Sequence, residues 1–290
     1  MTPLAPLGAF GLAFGEEPWV WAFDPLKLLV LALAAFAYGR RAATLRGRGN
    51  GVSRVKQSLF YSGLAVLVLA FVSPVDSLGE SRLLFAHMVQ HILIAEVAAL
   101  LVVAGLTGSI LRPILALPYI GGLRVLAHPL VALPVWASTL YLWHIPAFYQ
   151  AALTSEALHA FQHMTFFAAG AMMWAALVEP LPGPAWFGAG PKAAYVAVVR
   201  FAEAILANVF IWSSKPFYPF YAEQERVWGI SAIEDQNIGG GIMMVYGTVL
   251  TLSLFAWLFL RWMREGERAE TLISEGVNPR AAARAARYGR

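Results

Sequence analysis

Four of the chain's six histidines fall in two copies of one pattern, His87-Met88-Val89-Gln90-His91 and His159-Ala160-Phe161-Gln162-His163. On a helix, residues four apart lie on one face about 40° apart, so each pair can chelate one ion, and Gln90 and Gln162 extend the same stripe. Both copies lie in apolar stretches long enough to cross a bilayer, where imidazole is costly and marks a function. The chain has no cysteine, which removes disulfides, thiolate ligation and thiol redox chemistry, and leaves His and Met to hold a soft metal. Met88 and Met164 adjoin the two pairs, and Met243 and Met244 lie in the last apolar stretch. Thioethers with imidazoles suit copper, Cu(I) above all, better than magnesium or calcium; zinc and iron also accept imidazole. One haem held by a His from each copy is a further alternative.

The elements that must carry these residues follow from composition. The chain is 59% hydrophobic and 13% charged over 290 residues, with mean hydropathy +0.62. Such values define an integral membrane protein. Stretches of about 20 apolar residues predict seven spans, over Phe23–Gly39, Gln57–Ser73, Arg82–Gly105, Val125–Trp143, Glu156–Val178, Ala193–Trp212 and Ile238–Trp262. The expected fold is an all-α bundle of seven transmembrane helices. It forms one domain over 1–264, followed by a basic tail, 265–290, that is a surface helix or partly disordered. No basic residue precedes Lys27, so the start does not read as a signal peptide. The pI near 9.4 comes mostly from arginines flanking apolar spans, which orient a membrane protein and do not point to nucleic acid.

Arg40, Arg41, Arg46, Arg48, Arg54 and Lys56 fill the first connection, and Arg261, Arg264, Arg268, Arg280, Arg284, Arg287 and Arg290 the tail. Arg112, Arg124 and Lys192 add to that side, against Lys27, Arg82, Lys215 and Arg226 opposite. The positive-inside rule then places the N-terminus outside and the C-terminus in the cytoplasm. Span three entering from outside puts His87 roughly 8 Å and His91 roughly 14 Å deep, and span five puts His159 roughly 5 Å and His163 roughly 11 Å deep. His144 ends span four on the same side, before Pro146. Five histidines thus converge at the outer side without having been used to set the orientation. Asp76, Glu80, Glu156, Asp235 and Gln236 share that margin, within reach of supporting the imidazoles.

Plainer roles compete with metal binding. Membrane histidines also serve as interhelical hydrogen-bond glue or in proton relays. His144 is equally suited to a structural role. His128 before Pro129 reads as a helix start. Arg200 and Glu203, three apart, pair on one face. Glu96, five past His91, lies about 140° round an α-helix, off the histidine face. Each methionine is as well suited to core filling, and Gly239, Gly240 and Gly241 to close helix approach. With little polar below His91 and His163, the expected site is a cup open to the outside, not a transport path.

The combination of His87-Met-Val-Gln-His91, His128-Pro129, Trp143-His144-Ile-Pro146, His159-x-x-x-His163 and Asp235-Gln236 before a glycine-rich span resembles the multi-span CtaG family, assembly factors of caa-type cytochrome c oxidases. The likeness runs from Asp24 to Trp262 and leaves out the arginine-rich tail. It implies a non-enzymatic protein of the bacterial plasma membrane that supports copper-centre maturation. The implied partners are oxidase subunits or copper chaperones, and membrane lipid.

Overall fold

The computed structural model describes residues 20–117 and 125–288. Arg124, Arg290 and the first nineteen residues, which entered the charge and signal-peptide arguments, lie outside the described residues. Helix α1 (Pro25–Gly47) starts where the Asp24 carboxylate accepts from Leu26 N and Lys27 N, with Pro25 in the first turn. Ser53 caps α2 (Arg54–Val72) in the same way. Ser73 and Pro74 break that helix and start the short α3 (Pro74–Ser81). Span three is continuous from Leu84 to Gly105 but not uniform: α4 (Leu84–Ile92) passes into a π-helical turn (Leu93–Ala98) and then α5 (Ala99–Gly105). After α6 (Gly108–Leu115), His128 accepts from Leu130 N and caps α7 (Pro129–His144). That is the structural role its Pro129 neighbour predicts.

Proline 146 ends α7 as expected and opens α8 (Pro146–Leu153), which bends away by 73°. The helices that follow are α9 (Glu156–Val178), α10 (Ala189–Trp212), the single turn α11 (Pro219–Glu223), α12 (Ala232–Ser274) and α13 (Pro279–Tyr288). Among the described residues there is no strand. Six helices are long and apolar enough to cross a membrane, and the bent pair α7–α8 makes a seventh if it is one span. Span five matches its expected limits. Span four does not: its α-helix begins at Pro129 instead of Val125, because proline favours the first helical turn. Span seven runs 43 residues, far past Trp262. Beyond the apolar stretch, good helix formers and the Arg261–Glu265 pair sustain it.

Close backbone approaches lock the histidine-bearing helices together. A β-carbon on Gly170 of α9 would lie 2.0 Å from Ala95 O in the π turn, so only glycine lets spans three and five meet there. On α12, a β-carbon on Gly239 would lie 3.4 Å from Phe85 Cα of α4, and one on Gly240 2.8 Å from Ala207 O of α10. A β-carbon on Gly241 would meet nothing within 4 Å. Asp235 performs a task that α4 cannot perform for itself. Leu83 offers α4 no side-chain cap, and the Asp235 carboxylate accepts from Leu84 N at 2.8 Å and Phe85 N at 2.9 Å instead. Gln236 accepts from Phe217 N and donates to Phe210 O, tying down the connection between α10 and α12. Both residues act on the backbone, not on an imidazole.

Candidate metal centre

The two histidine pairs meet. His87, His91 and His163 each present a ring nitrogen within 4.8 Å of the others'. The His159 ring lies 4.2 Å from His163 and 5.2 Å from His87, and the His144 ring 6.2 Å from His91. Spans three and five face each other through the Gly170 contact, and α7 delivers His144 at its last turn, where Trp143 Nε1 donates to Thr165 Oγ1 of α9 at 2.8 Å.

Hydrogen bonds orient the rings. His144 Nδ1 lies 2.7 Å from Leu140 O, so Nδ1 carries the proton and Nε2 is left as a free base. His159 Nδ1 lies 3.0 Å from the Glu80 carboxylate, with the same consequence. The Tyr221 hydroxyl donates to Gly79 O at 2.6 Å and therefore accepts from His87 Nδ1 at 3.0 Å. That leaves His87 Nε2 facing His91 Nε2 at 2.7 Å. Nε2 of His144, His159 and His163 and Nδ1 of His91 are buried without a hydrogen-bond partner. Buried polar atoms are rarely left so. The close ring nitrogens of His87, His91 and His163, with the free lone pairs of neighbouring imidazoles beside them, form a donor set that fits a metal ion.

Two acidic residues sit at the margin in α3. Burial raises the Glu80 carboxyl, but the hydrogen bond and charge of His159, with Lys27 and an Asp76 hydrogen bond, together more than offset this and hold it below the ordinary glutamate range. It is therefore ionised when it accepts from His159. Asp76 is pushed up to about 7, by burial first and by Glu80 second. The Gln90 amide donates to it and to Ala70 O. Gln162 is fully buried, and neither its Oε1 nor its Nε2 has a partner.

Several expectations change on folding. The cup is not open: the five histidines are between 0% and 8% exposed. Helix α3 and the 213–231 connection cover them, the latter bringing Tyr218, stacked on Tyr149 at 3.9 Å, and Tyr221. Sequence reasoning missed these tyrosines. The signal was the run Phe217-Tyr218-Pro219-Phe220-Tyr221, too apolar for a solvated loop. Met164 turns outward, 60% exposed, and Glu156 is exposed at the start of α9. Met244 Sδ accepts from Arg200. Met88 and Met243 line a cavity of about 50 Å³ beside His91 and His144. Glu96 lines that cavity too, although α-helical spacing had set it off the histidine face. The π turn, with its i→i+5 bonding, rotates residues after Leu93 relative to an α-helix.

Fold and site together define a class, the multi-span helical membrane proteins with a buried polyhistidine cluster. Within it, this chain belongs to the cytochrome c oxidase caa3 assembly factor (CtaG) family, whose profile matches residues 36–265. Two mycobacterial proteins are similar, the uncharacterized protein Mb0105 of Mycobacterium bovis and the uncharacterized protein MT0111 of Mycobacterium tuberculosis. Each is 25% identical over 268 residues, covering 86% of this chain and 40% of theirs. The chain thus spans about two fifths of the length of these relatives. No solved structure matches it.

Proposed function

We propose that this chain supports maturation of a cytochrome c oxidase copper centre by binding copper at the cluster of His87, His91, His144, His159 and His163. The observation that carries this reading is the buried cluster itself: ring nitrogens of His87, His91 and His163 lie within 4.8 Å of one another, and buried ring nitrogens of His91, His144, His159 and His163 have no hydrogen-bond partner. The choice of copper rests on the absence of cysteine and on the Met88 and Met243 thioethers beside the imidazoles. The arginine-rich connections and tail favour an orientation with the histidine end outward and the C-terminus in the cytoplasm of a bacterial plasma membrane. The role is delivery or stabilisation of the ion, with oxidase subunits or copper chaperones as partners, and not catalysis.

Elemental analysis of the purified protein, loaded with Cu(I) and washed, tests this. About one or two copper ions per chain are expected, with retention lost in His87→Ala and His163→Ala. Zinc or iron retained in place of copper would overturn the metal assignment, and no retained metal would overturn the site. A Soret band would favour haem, but a cavity of about 50 Å³ next to the rings argues against a macrocycle.

A further inference from the structure

The cavity that begins at His91 and His144 ends on two carboxyl groups, those of Glu96 and Glu203, with Tyr246 beside them. Glu96 is 6% exposed, and its Oε2 is buried without a hydrogen-bond partner. Glu203 has a counter-ion, Arg200, whose Nη1 lies 3.9 Å from its Oε2. Arg200 Nη2 is committed to Met244 O and Thr248 Oγ1. Span seven makes room for this pair with Gly247, where a β-carbon would lie 2.6 Å from Arg200 Nη1 and 2.8 Å from Glu203 Oε2. The charged and titratable groups around Glu96 are His91 on its own span, His144 on α7, Tyr195 and Glu203 on α10, and Tyr246 on α12, with Arg200 behind Glu203. From α9 it meets the neutral Trp174.

Of the two carboxyls, Glu203 has a guanidinium beside it, and no such partner faces Glu96 among the described residues. The Arg200–Glu203 pair is neutral, and a second carboxylate would be an uncompensated charge inside the bilayer, which a protein avoids by keeping the acid protonated. A cation arriving on the neutral imidazoles reverses that balance. Its charge, about 7 Å along the helix axis from Glu96, acts through a low-dielectric interior and stabilises the carboxylate. The cavity exceeds the ~10–15 Å³ that one water needs, so it can carry a proton between the two.

We propose that Glu96 is a proton-exchange site coupled to the histidine centre. It holds a proton while the centre is free of metal and releases it when a cation binds. The carboxyl O–H bond breaks, its electron pair stays on the carboxylate, and the proton is released to bulk solvent. Nothing is oxidised or reduced. The buried region takes up one positive charge and gives up another, so its net charge is unchanged. This inference rests on the metal-centre reading, and it adds a charge-compensating group that a pure imidazole cup lacks.

The test is a titration of the full-length protein in lipid nanodiscs with Cu(I), and with redox-inert Ag(I), in weakly buffered solution near neutral pH. Bound ion and released protons are read from the same sample. Wild type is expected to release about one proton per monovalent ion, and Glu96→Gln to bind the ion with release near zero. Infrared difference spectra of wild type are expected to lose a protonated-carboxyl C=O stretch on binding. Glu96→Asp is expected to shift that band. Equal release from Glu96→Gln and wild type, or ion binding without loss of the carboxyl band, would overturn the proposal. The wild-type spectrum decides even where Glu96→Gln does not fold. Failure of wild type to bind either ion shows in the isotherm and removes the metal centre itself, an outcome distinct from binding without proton release.

Discussion

In three imidazoles of the cluster a different partner fixes one ring nitrogen and leaves the other for the site. A backbone carbonyl orients His144, a carboxylate orients His159, and a tyrosine hydroxyl orients His87. Such partners set the tautomer and raise ligand basicity, so their removal weakens metal binding without touching a ligand. Glu80 is the most accessible of them, with its side chain 38% exposed. Glu80→Gln is expected to lower metal affinity about 10–100-fold while the melting temperature of the metal-free protein stays near wild type. Competition with a chelator of known affinity measures this. Unchanged affinity would mean that His159 does not contribute to binding. The histidines were legible in the sequence because a four-residue spacing in an apolar run has few uses. Tyr221 was not, since a tyrosine in the 213–231 connection carries no periodic signal.

Helix identity was similarly legible, because a bilayer demands about 20 apolar residues per span and no compact soluble core imposes that length. The helix interior was harder. A π turn leaves no mark in hydropathy, yet it decides that Glu96 faces the cavity beside His91. Capping across elements was also hidden. Asp235, which precedes the expected span Ile238–Trp262, sits in the first turn of α12, but its carboxylate ends on α4, some 150 residues away in the chain. Removing it leaves one buried and one part-buried backbone donor unsatisfied at the start of the helix that carries His87. Asp235→Ala is expected to destabilise the protein by roughly 0.5–2 kcal/mol, as for lost caps generally. Metal affinity should fall in parallel as α4 frays. Thermal unfolding in detergent and the chelator assay read the two effects, and loss of stability with unchanged affinity would separate the cap from the site.

The far end of the molecule is held by charge. Glu179 ends α9 in the left-handed region, φ 55°, unusual for a residue with a β-carbon. Its carboxylate is almost fully buried, 2.9 Å from Lys192 Nζ and paired with Arg287 of α13. Arg287 also donates to Pro184 O, Ala185 O and Phe187 O. Ala282 and Ala286 of α13 are buried. The tail is thus tied back to the 179–192 connection. Arg287→Ala is expected to weaken that docking by about 1.5–3 kcal/mol, the scale of hydrogen bonds to charged groups. Hydrogen exchange over residues 275–288 measures it, with faster exchange confined to the tail and the 179–192 connection. Unchanged protection would show that apolar packing of α13 alone holds the tail.

Composition and spacing were enough to establish a helical membrane bundle, the approximate spans and a histidine cluster shared by spans three and five, because bilayer thickness and helical periodicity act on residues close together in the chain. Folding decided the rest. Enclosure of the cluster, the partners that set each tautomer, the capping of α4 by Asp235 and the convergence of Glu96 with Glu203 all join residues far apart in the chain. No local rule of spacing or hydropathy specifies such contacts; they arise where packed helices bring particular side chains within hydrogen-bond range.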